Sequence, residues 1–475
     1  MGDQGGGASC STWEGCSVLL DINDGDRLVF ARLSPSAFVK IGNKRCPLRP
    51  LVGCPFGSLF QVETGPEGPH LVRVSSAPTT QDIYLQEEDD ERLKVHQNDN
   101  RVLIDDNKAQ SLTGEDIDAM RRDGVSGSEI IEALIANSST FEKKTVFSQE
   151  KYRLRKQKKY APKVLLRRPF ARSICEAYFK KHASRIGFLR VDTLSLLLSM
   201  ANVSAYSDVL VVDMVGGILT GAVAERLGGT GYVCSTYMGA TPYPMDIVRM
   251  FNFSHEICSR IVQSPLSSLC LALDGDNESC RSHESLSSSE SQSNSNGALN
   301  VSRNVLDNGS LLSLEEQNEK SISTSGMSSF HEHDIAVPVG IVESNDLTVR
   351  KSVLPGRQAT PDAMKSWKQM GFSSLIIAAP DLDAWSILQD LLPLLSYSAP
   401  FAIYHQYLQP LAACMHKLQA DKMAIALQIS EPWLREYQVL PSRTHPLMQM
   451  SGSGGYILSG IRIFCSDDCH RLAIS

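Results

Sequence analysis

VLVVDMVGGILTGAVAERLGGTGYVCSTY, residues 209–237, sets the fold. VLVVD (209–213) reads as a strand, the glycine-containing stretch after it as a tight turn, TGAVAERLG (220–228) as a helix and GYVCSTY (231–237) as a second strand. SLIIAAP (374–380) is another strand, and the helix expected after it carries Trp385, Leu388 and Leu391. Further helical and extended pieces continue to Ile474. Strands alternating with helices in this way predict an α/β fold with a doubly wound parallel sheet. Residues 277–330 interrupt the pattern with a Ser/Asn/Glu-rich stretch (SHESLSSSESQSNSN), too polar to bury a core, and are expected to be a disordered insertion.

Outward from this domain, assigned to 183–475, the chain divides by composition. Residues 1–16 are Gly/Ser-rich and expected to be disordered. Residues 17–75 hold short β-type runs (RLVFARL, AFVKI, SLFQVE, LVRV) between Gly, Pro and Asn clusters, which predicts a small antiparallel barrel or meander. Residues 76–98, with EEDDE at 87–91, read as an acidic linker. Residues 99–182 form a helical and basic segment. There, Thr113 with Asp116 opens one helix, with Ile117 and Met120 on its apolar face and Gly124 at its end. Ser126 with Glu129 opens the next, which carries Ile130, Ile131, Leu134 and Ile135.

At 475 residues the chain is long enough for two or three domains. The N-terminal MGDQGGGASCSTW lacks the basic and apolar regions of a signal peptide. The longest apolar run, Leu194 to Ala201, is far shorter than a membrane span, so no membrane partner is expected. The 12 cysteines are scattered, with no C-x-x-C pair; Cys465, Cys469 and His470 form the nearest approach to a metal cluster and lack a second ligand pair, so no metal is expected.

Net charge is −7, which by itself argues against a nucleic-acid binder, but the charge is unevenly placed. Between Lys143 and Lys181 lie 14 lysines and arginines against two acids, Glu150 and Glu176, a local excess of +12 that leaves about −19 elsewhere. Closely spaced cations repel one another, and phosphates that neutralise them release counterions in return. Tyr152 and Tyr160 bracket the run KYRLRKQKKY (151–160), placed to stack on unpaired bases. A solvated helix face and a nuclear localisation signal remain open as readings of the same run, although its extension to Lys180 and Lys181 exceeds the length of a targeting signal.

The strand-turn-helix at 209–221 is similar to the start of Rossmann-like methyltransferases, in which an acid and alternating glycines receive S-adenosylmethionine and a second acid holds its ribose. Here Asp213 stands at the acid position, but the alternating glycine positions hold Val215, Gly217 and Leu219. The second acid falls at Thr236 or Tyr237, neither of which has a carboxylate. At the fourth strand stand Ala378 and Ala379 before Pro380, and Asp381 and Asp383 beyond them read as caps of the next helix. The fold is therefore expected to be a degenerate Rossmann-like methyltransferase domain, with no catalytic residue and no cofactor site of its own.

DNRVLIDDNKAQSLT (99–113), NSSTFEKKTVFSQEKYRLRKQKKY (137–160), LREYQVLPSRTHPLM (434–448) and SGSGGYILSG (451–460) together closely resemble the non-catalytic subunit of the eukaryotic tRNA adenosine N1-methyltransferase, which acts on the T-loop adenosine at position 58. The resemblance implies a heterotetramer of two catalytic and two non-catalytic subunits, with S-adenosylmethionine bound by the catalytic partner and the tRNA adenosine presented to it. It also implies tRNA contacts at Asn100, Arg101, Lys108 and Gln110, along Lys151, Tyr152, Arg153, Arg155, Lys156, Lys158, Lys159 and Tyr160, and at Lys181. A nuclear location is expected. Two other functions remain open on the residues alone: an active but diverged S-adenosylmethionine-dependent RNA methyltransferase, and an RNA-binding scaffold of translation. A nicotinamide oxidoreductase fits poorly, since no G-x-G-x-x-G follows a strand.

Overall fold

The computed structural model describes residues 11–65, 68–74, 110–274 (backbone alone for 271–274), 355–439 and 444–464. The acidic linker 76–98, the insertion 277–330, and Asn100, Arg101 and Lys108 lie outside the described residues.

The chain opens with strands β1 (Ser17–Ile22) and β2 (Arg27–Arg32), a hairpin of β3 (Phe38–Ile41) and β4 (Lys44–Pro47), and strands β5 (Leu59–Gly65) and β6 (Gly68–Arg73). Three helices follow: α1 (Gly114–Arg122), α2 (Gly127–Ala136) and the basic helix α3 (Val146–Tyr160). Both expected capping boxes are present, Thr113 with Asp116 and Ser126 with Glu129. Strand β7 (Lys163–Arg167) then returns to the N-terminal sheet and inserts at its centre, giving the antiparallel order β2-β1-β7-β5-β6.

This insertion corrects the boundary expected at residue 75. KVLLR at 163–167 alternates half-buried and buried residues, with Val164 and Leu166 inside, but the surrounding cations hid the pattern in the sequence. The expected barrel is corrected too. The sheet is open in its hydrogen bonding, and the β3–β4 hairpin covers one face, packing Val39, Ile41 and Cys46 with Val18, Leu20, Phe60 and Leu166. Residues 11–16, expected to be disordered, are pinned in place. The Thr12 amide donates to the Cys54 carbonyl (2.9 Å), and Thr12 and Cys16 are buried.

Helices α4 (Ala171–His182) and α5 (Val191–Met200) lead into strand β8 (Asp208–Asp213), helix α6 (Ile218–Leu227), β9 (Tyr232–Tyr237), α7 (His255–Ser259), β10 (Ile261–Pro265) and α8 (Leu266–Asp274). Beyond the undescribed stretch come β11 (Arg357–Gln358), α9 (Pro361–Met370), β12 (Ser374–Ala378), α10 (Ala384–Leu391), β13 (Pro400–His405), α11 (Leu408–Ala420), β14 (Ala424–Ser430), the short pair β15 (Tyr437–Gln438) and β16 (His445–Pro446), and β17 (Tyr456–Arg462). The sheet order is β11-β10-β9-β8-β12-β13-β17-β14, parallel except for β17, which runs against both of its neighbours.

VLVV at 209–212 sits at the centre and is buried on both faces, as a doubly wound sheet requires. Val209 and Val211 pack with Ile174 and Cys175 of α4, Leu197 of α5 and Val223 of α6. Leu210 and Val212 face the other way, against Trp367 of α9, Leu388 of α10 and Cys414 of α11. Helix α4 thus belongs to this domain's core, which begins before the expected residue 183. The two sheets are joined directly. The Asn252 amide clamps the backbone of Ser17 through two hydrogen bonds, both 2.7 Å, and the rings of Phe30 and Tyr178 meet at 5.4 Å.

Candidate nucleic-acid interface

In an open α/β sheet the ligand crevice lies beyond the carboxyl ends of the strands where their order reverses, here between β8 and β12. Asp213 ends β8 with its carboxylate fully committed. Its Oδ1 accepts from the amides of Val215 (3.0 Å) and Gly217 (3.1 Å), and its Oδ2 from the amide and hydroxyl of Thr220 (both 2.8 Å). Burial raises its pKa against the pull of these bonds. The aspartate ties the loop to the head of α6.

Val215 and Leu219 are completely buried in the core rather than merely crowding a cleft. Gly217 has φ +89°, and a Cβ there would stand 2.6 Å from Met245 Cα, so chain packing accounts for the glycine. Over the same crevice lies Gly187, held by hydrogen bonds to its carbonyl from the Tyr404 hydroxyl (2.8 Å) and the Gln406 amide (3.2 Å). A Cβ on Gly187 would come within 2.9 Å of Val215 and 3.2 Å of Pro380. On β9 the Thr236 hydroxyl is buried, and neither it nor Tyr237 brings a carboxylate. S-adenosylmethionine does not fit these residues. Of the two acids beyond β12, Asp383 caps α10, its carboxylate accepting from the amide (2.9 Å) and hydroxyl (2.8 Å) of Ser386, while Asp381 is exposed in the preceding turn. SGSGG at 451–455 is likewise explained by packing. The Gly454 carbonyl accepts from the Thr193 hydroxyl (2.7 Å), and a Cβ on Gly454 would lie 2.9 Å from the Arg190 guanidinium.

The basic run forms the last ten residues of α3, a helix whose N-cap is Thr145. Helical periodicity sorts its side chains. Lys151, Arg155 and Lys158, spaced i, i+4, i+7, lie on one exposed face with Leu154; Arg153 and Lys159 flank that face and are exposed as well. The inward side carries Tyr152, Lys156 and Tyr160. Tyr152 is half-buried edge-on against Phe141 (5.6 Å), with the ammonium groups of Lys156 (5.1 Å) and Lys144 (5.3 Å) over its ring. Tyr160 is only 6% exposed, packed with Ile117, Ile130, Ile131 and Leu134. The expectation that Tyr160 stacks on a base is therefore corrected: it anchors the helix by its apolar ring, and Arg121, Lys156 and Lys159 surround it.

Gln110 is also committed internally. Its Nε2 donates to the Leu134 carbonyl (2.8 Å) and the Tyr152 hydroxyl (3.4 Å), and its Oε1 accepts from the Leu112 amide (3.2 Å). Lys181 is exposed in the last turn of α4, where a cation suits the helix dipole. Its pKa is lowered, first by partial burial and then by the charge of Arg27. On the same helix, Ala177 packs against Leu28 of β2. Lys158 pairs with Asp26 in the β1–β2 turn (2.8 Å), so the basic helix borders the turn that leads into that strand. Arg27, Lys44 and Arg121 line one cavity with Lys158 and Lys159 and were missed in the sequence, since none of the three lies in a long basic run such as 151–160.

A Rossmann-like methyltransferase sheet whose cofactor crevice is packed shut, beside a basic helix, defines a methyltransferase-fold protein whose charged chemistry lies outside the usual site. Residues 13–300 match the Gcd10p family, and the chain belongs to that family. It is 33% identical over 95% of its length to a Dictyostelium discoideum protein named as the non-catalytic subunit trm6 of a tRNA (adenine(58)-N(1))-methyltransferase, covering 79% of that protein. The corresponding Mus musculus subunit is 30% identical over 93% of this chain and 88% of its own length. Among solved structures, the tRNA (m1A58) methyltransferase TrmI of Aquifex aeolicus superposes with a TM-score of 0.40 at 11% identity, covering 96% of this chain and 99% of that one.

Proposed function

We propose that this chain is the non-catalytic, tRNA-binding subunit of a two-subunit tRNA adenosine-58 N1-methyltransferase. The observation that carries the reading is the exposed face Lys151, Arg155, Lys158, held outward by the anchored rings of Tyr152 and Tyr160. In this reading the partner binds S-adenosylmethionine and transfers the methyl group, two copies of each subunit assemble, and the complex works in the nucleus. Adenine N1 is tied up in tRNA tertiary structure, and exposing the base costs a few kcal/mol of stacking and pairing. Phosphate contacts far from the reacting atom offset that cost and hold the substrate in position. Asn100, Arg101 and Lys108 add tRNA contacts in this reading; Gln110, turned inward, positions the basic helix instead.

The test is tRNA binding by the assembled complex across a salt series, with Lys151→Ala and Arg155→Ala combined. The double variant should bind more weakly, and its salt slope should be shallower by up to about 0.7–0.9 for each phosphate no longer neutralised. Assembly should be retained, since neither side chain is buried. Unchanged affinity and slope would reduce α3 to a solvated face.

A further inference from the structure

At the C-terminal end of the basic helix the chain forms a half-open cavity of about 630 Å³, within the range that holds small ligands. Four separate pieces of chain bring cations to it: Arg27 from the start of β2, Lys44 from the β3–β4 hairpin, Arg121 from the last turn of α1, and Lys158 and Lys159 from α3. Asp26 is the one acid in the lining, and it is paired with Lys158. Arg121 has a carboxylate partner in Asp118 (3.0 Å). The other three cations bond neutral groups or rings. Lys44 Nζ donates to the Thr64 hydroxyl (2.9 Å), Arg27 to the Lys40 carbonyl (2.9 Å), and the Lys159 ammonium sits 5.1 Å from the Tyr160 ring centre. Burial, and then the charge of Arg121, lower the pKa of Lys44. Like charges gathered around a hollow repel, and an anion inside relieves the repulsion.

Three of the cations, Arg121, Lys158 and Lys159, lie in the last turns of their helices, and favourable interaction with the helix dipole alone would explain them. It does not explain Arg27 or Lys44, which come from strands and turns. The rest of the lining mixes apolar side chains, Ile22, Ile41, Pro69 and Pro162, with the neutral polar Asn23, Asn43 and Thr64. A charged rim with an apolar wall suits a ligand that pairs a phosphate with a flat or sugar-like body.

We propose that this cavity seats one nucleotide of the bound RNA, its backbone phosphate on Lys44, Arg27 and Arg121 and the adjoining ribose or base against Ile22, Ile41 and the two prolines. The proposal rests on the tRNA-binding reading above. RNA is favoured over a free nucleotide because Lys158 belongs both to the outer face of α3 and to the cavity, so a strand tracking the helix runs into it.

The experiment uses the full chain assembled with its catalytic partner and an unmodified tRNA transcript. Lys44→Gln with Arg27→Gln should weaken binding about five- to tenfold at low salt, and flatten the salt slope by about 0.7–0.9 for the one phosphate released. Lys44→Arg should keep near-normal binding, and melting curves should match the parent. If the Lys151/Arg155 double variant is impaired while this one binds normally, the seat is wrong and the broader reading stands. If neither variant changes binding, both fall together. If this variant loses binding of inorganic pyrophosphate or ADP but holds tRNA normally, the cavity serves a free anion and the RNA assignment is overturned.

Discussion

Asp213 shows how a residue type can outlast the chemistry it serves elsewhere in the same fold. Its four hydrogen bonds are all spent on its own loop, and Leu219, where a glycine would admit cofactor, is part of the core. Leu219→Ala should cost about 2–5 kcal/mol, as a cavity does in a packed interior. It should create no affinity for S-adenosylmethionine, because Met245 and Gly187 still close the crevice; thermal unfolding and a cofactor titration on the same sample check both. At Asp383 the expected effect is structural. The bonds from Ser386, amide first and hydroxyl second, hold its pKa below the ordinary aspartate value. The cap therefore stabilises fully above about pH 4 and loses its contribution as pH falls through the lower folded-state value. Asp383→Ala should cost about 1 kcal/mol near neutrality, with the difference from the parent vanishing in acid, and should leave turnover of the complex intact. A collapse of turnover with tRNA binding preserved would give this carboxylate a part in the reaction.

At the level of elements, the two capped helices, the strand-turn-helix at 209–228 and the strands at 231–237 and 374–380 follow directly from local residue pattern, and the structure agrees with them. Other elements depend on contacts the sequence does not display. β7 is a strand because β1 and β5 await it on either side, and Tyr160 is buried because α1 and α2 supply its apolar neighbours. The stretch between β14 and β17 is fixed at both ends by Arg190, which is 4% exposed. Its guanidinium donates to the carbonyls of Pro432 (3.0 Å) and Ser451 (2.9 Å) and pairs with Asp192 (2.6 and 2.7 Å). Arg190→Ala breaks a buried pair and should cost about 3–5 kcal/mol. Arg190→Lys should recover only part of that loss, because an ammonium cannot reproduce the fork. Denaturant unfolding of the three proteins reads the order directly.

Across the whole molecule, the basic surface combines one segment legible in sequence with cations that only the fold brings near it. KYRLRKQKKY stood out by its charge; Arg27, Lys44 and Arg121 did not, because their proximity depends on the N-terminal sheet and hairpin closing around the end of α3. The closed crevice was half legible: Val215 and Leu219 were visible as departures from glycine, whereas the turn at Gly187 that lies against Val215 comes from a segment 28 residues earlier and gave no local sign. Both features fit the division of labour proposed above, in which this subunit holds RNA and its partner holds the methyl donor. The most direct measurement is a calorimetric titration of S-adenosylmethionine into the assembled complex. The account predicts as many sites as there are catalytic partner chains, and no heat of binding for this chain alone. One site for every chain of either kind, or micromolar binding to this chain by itself, would contradict it.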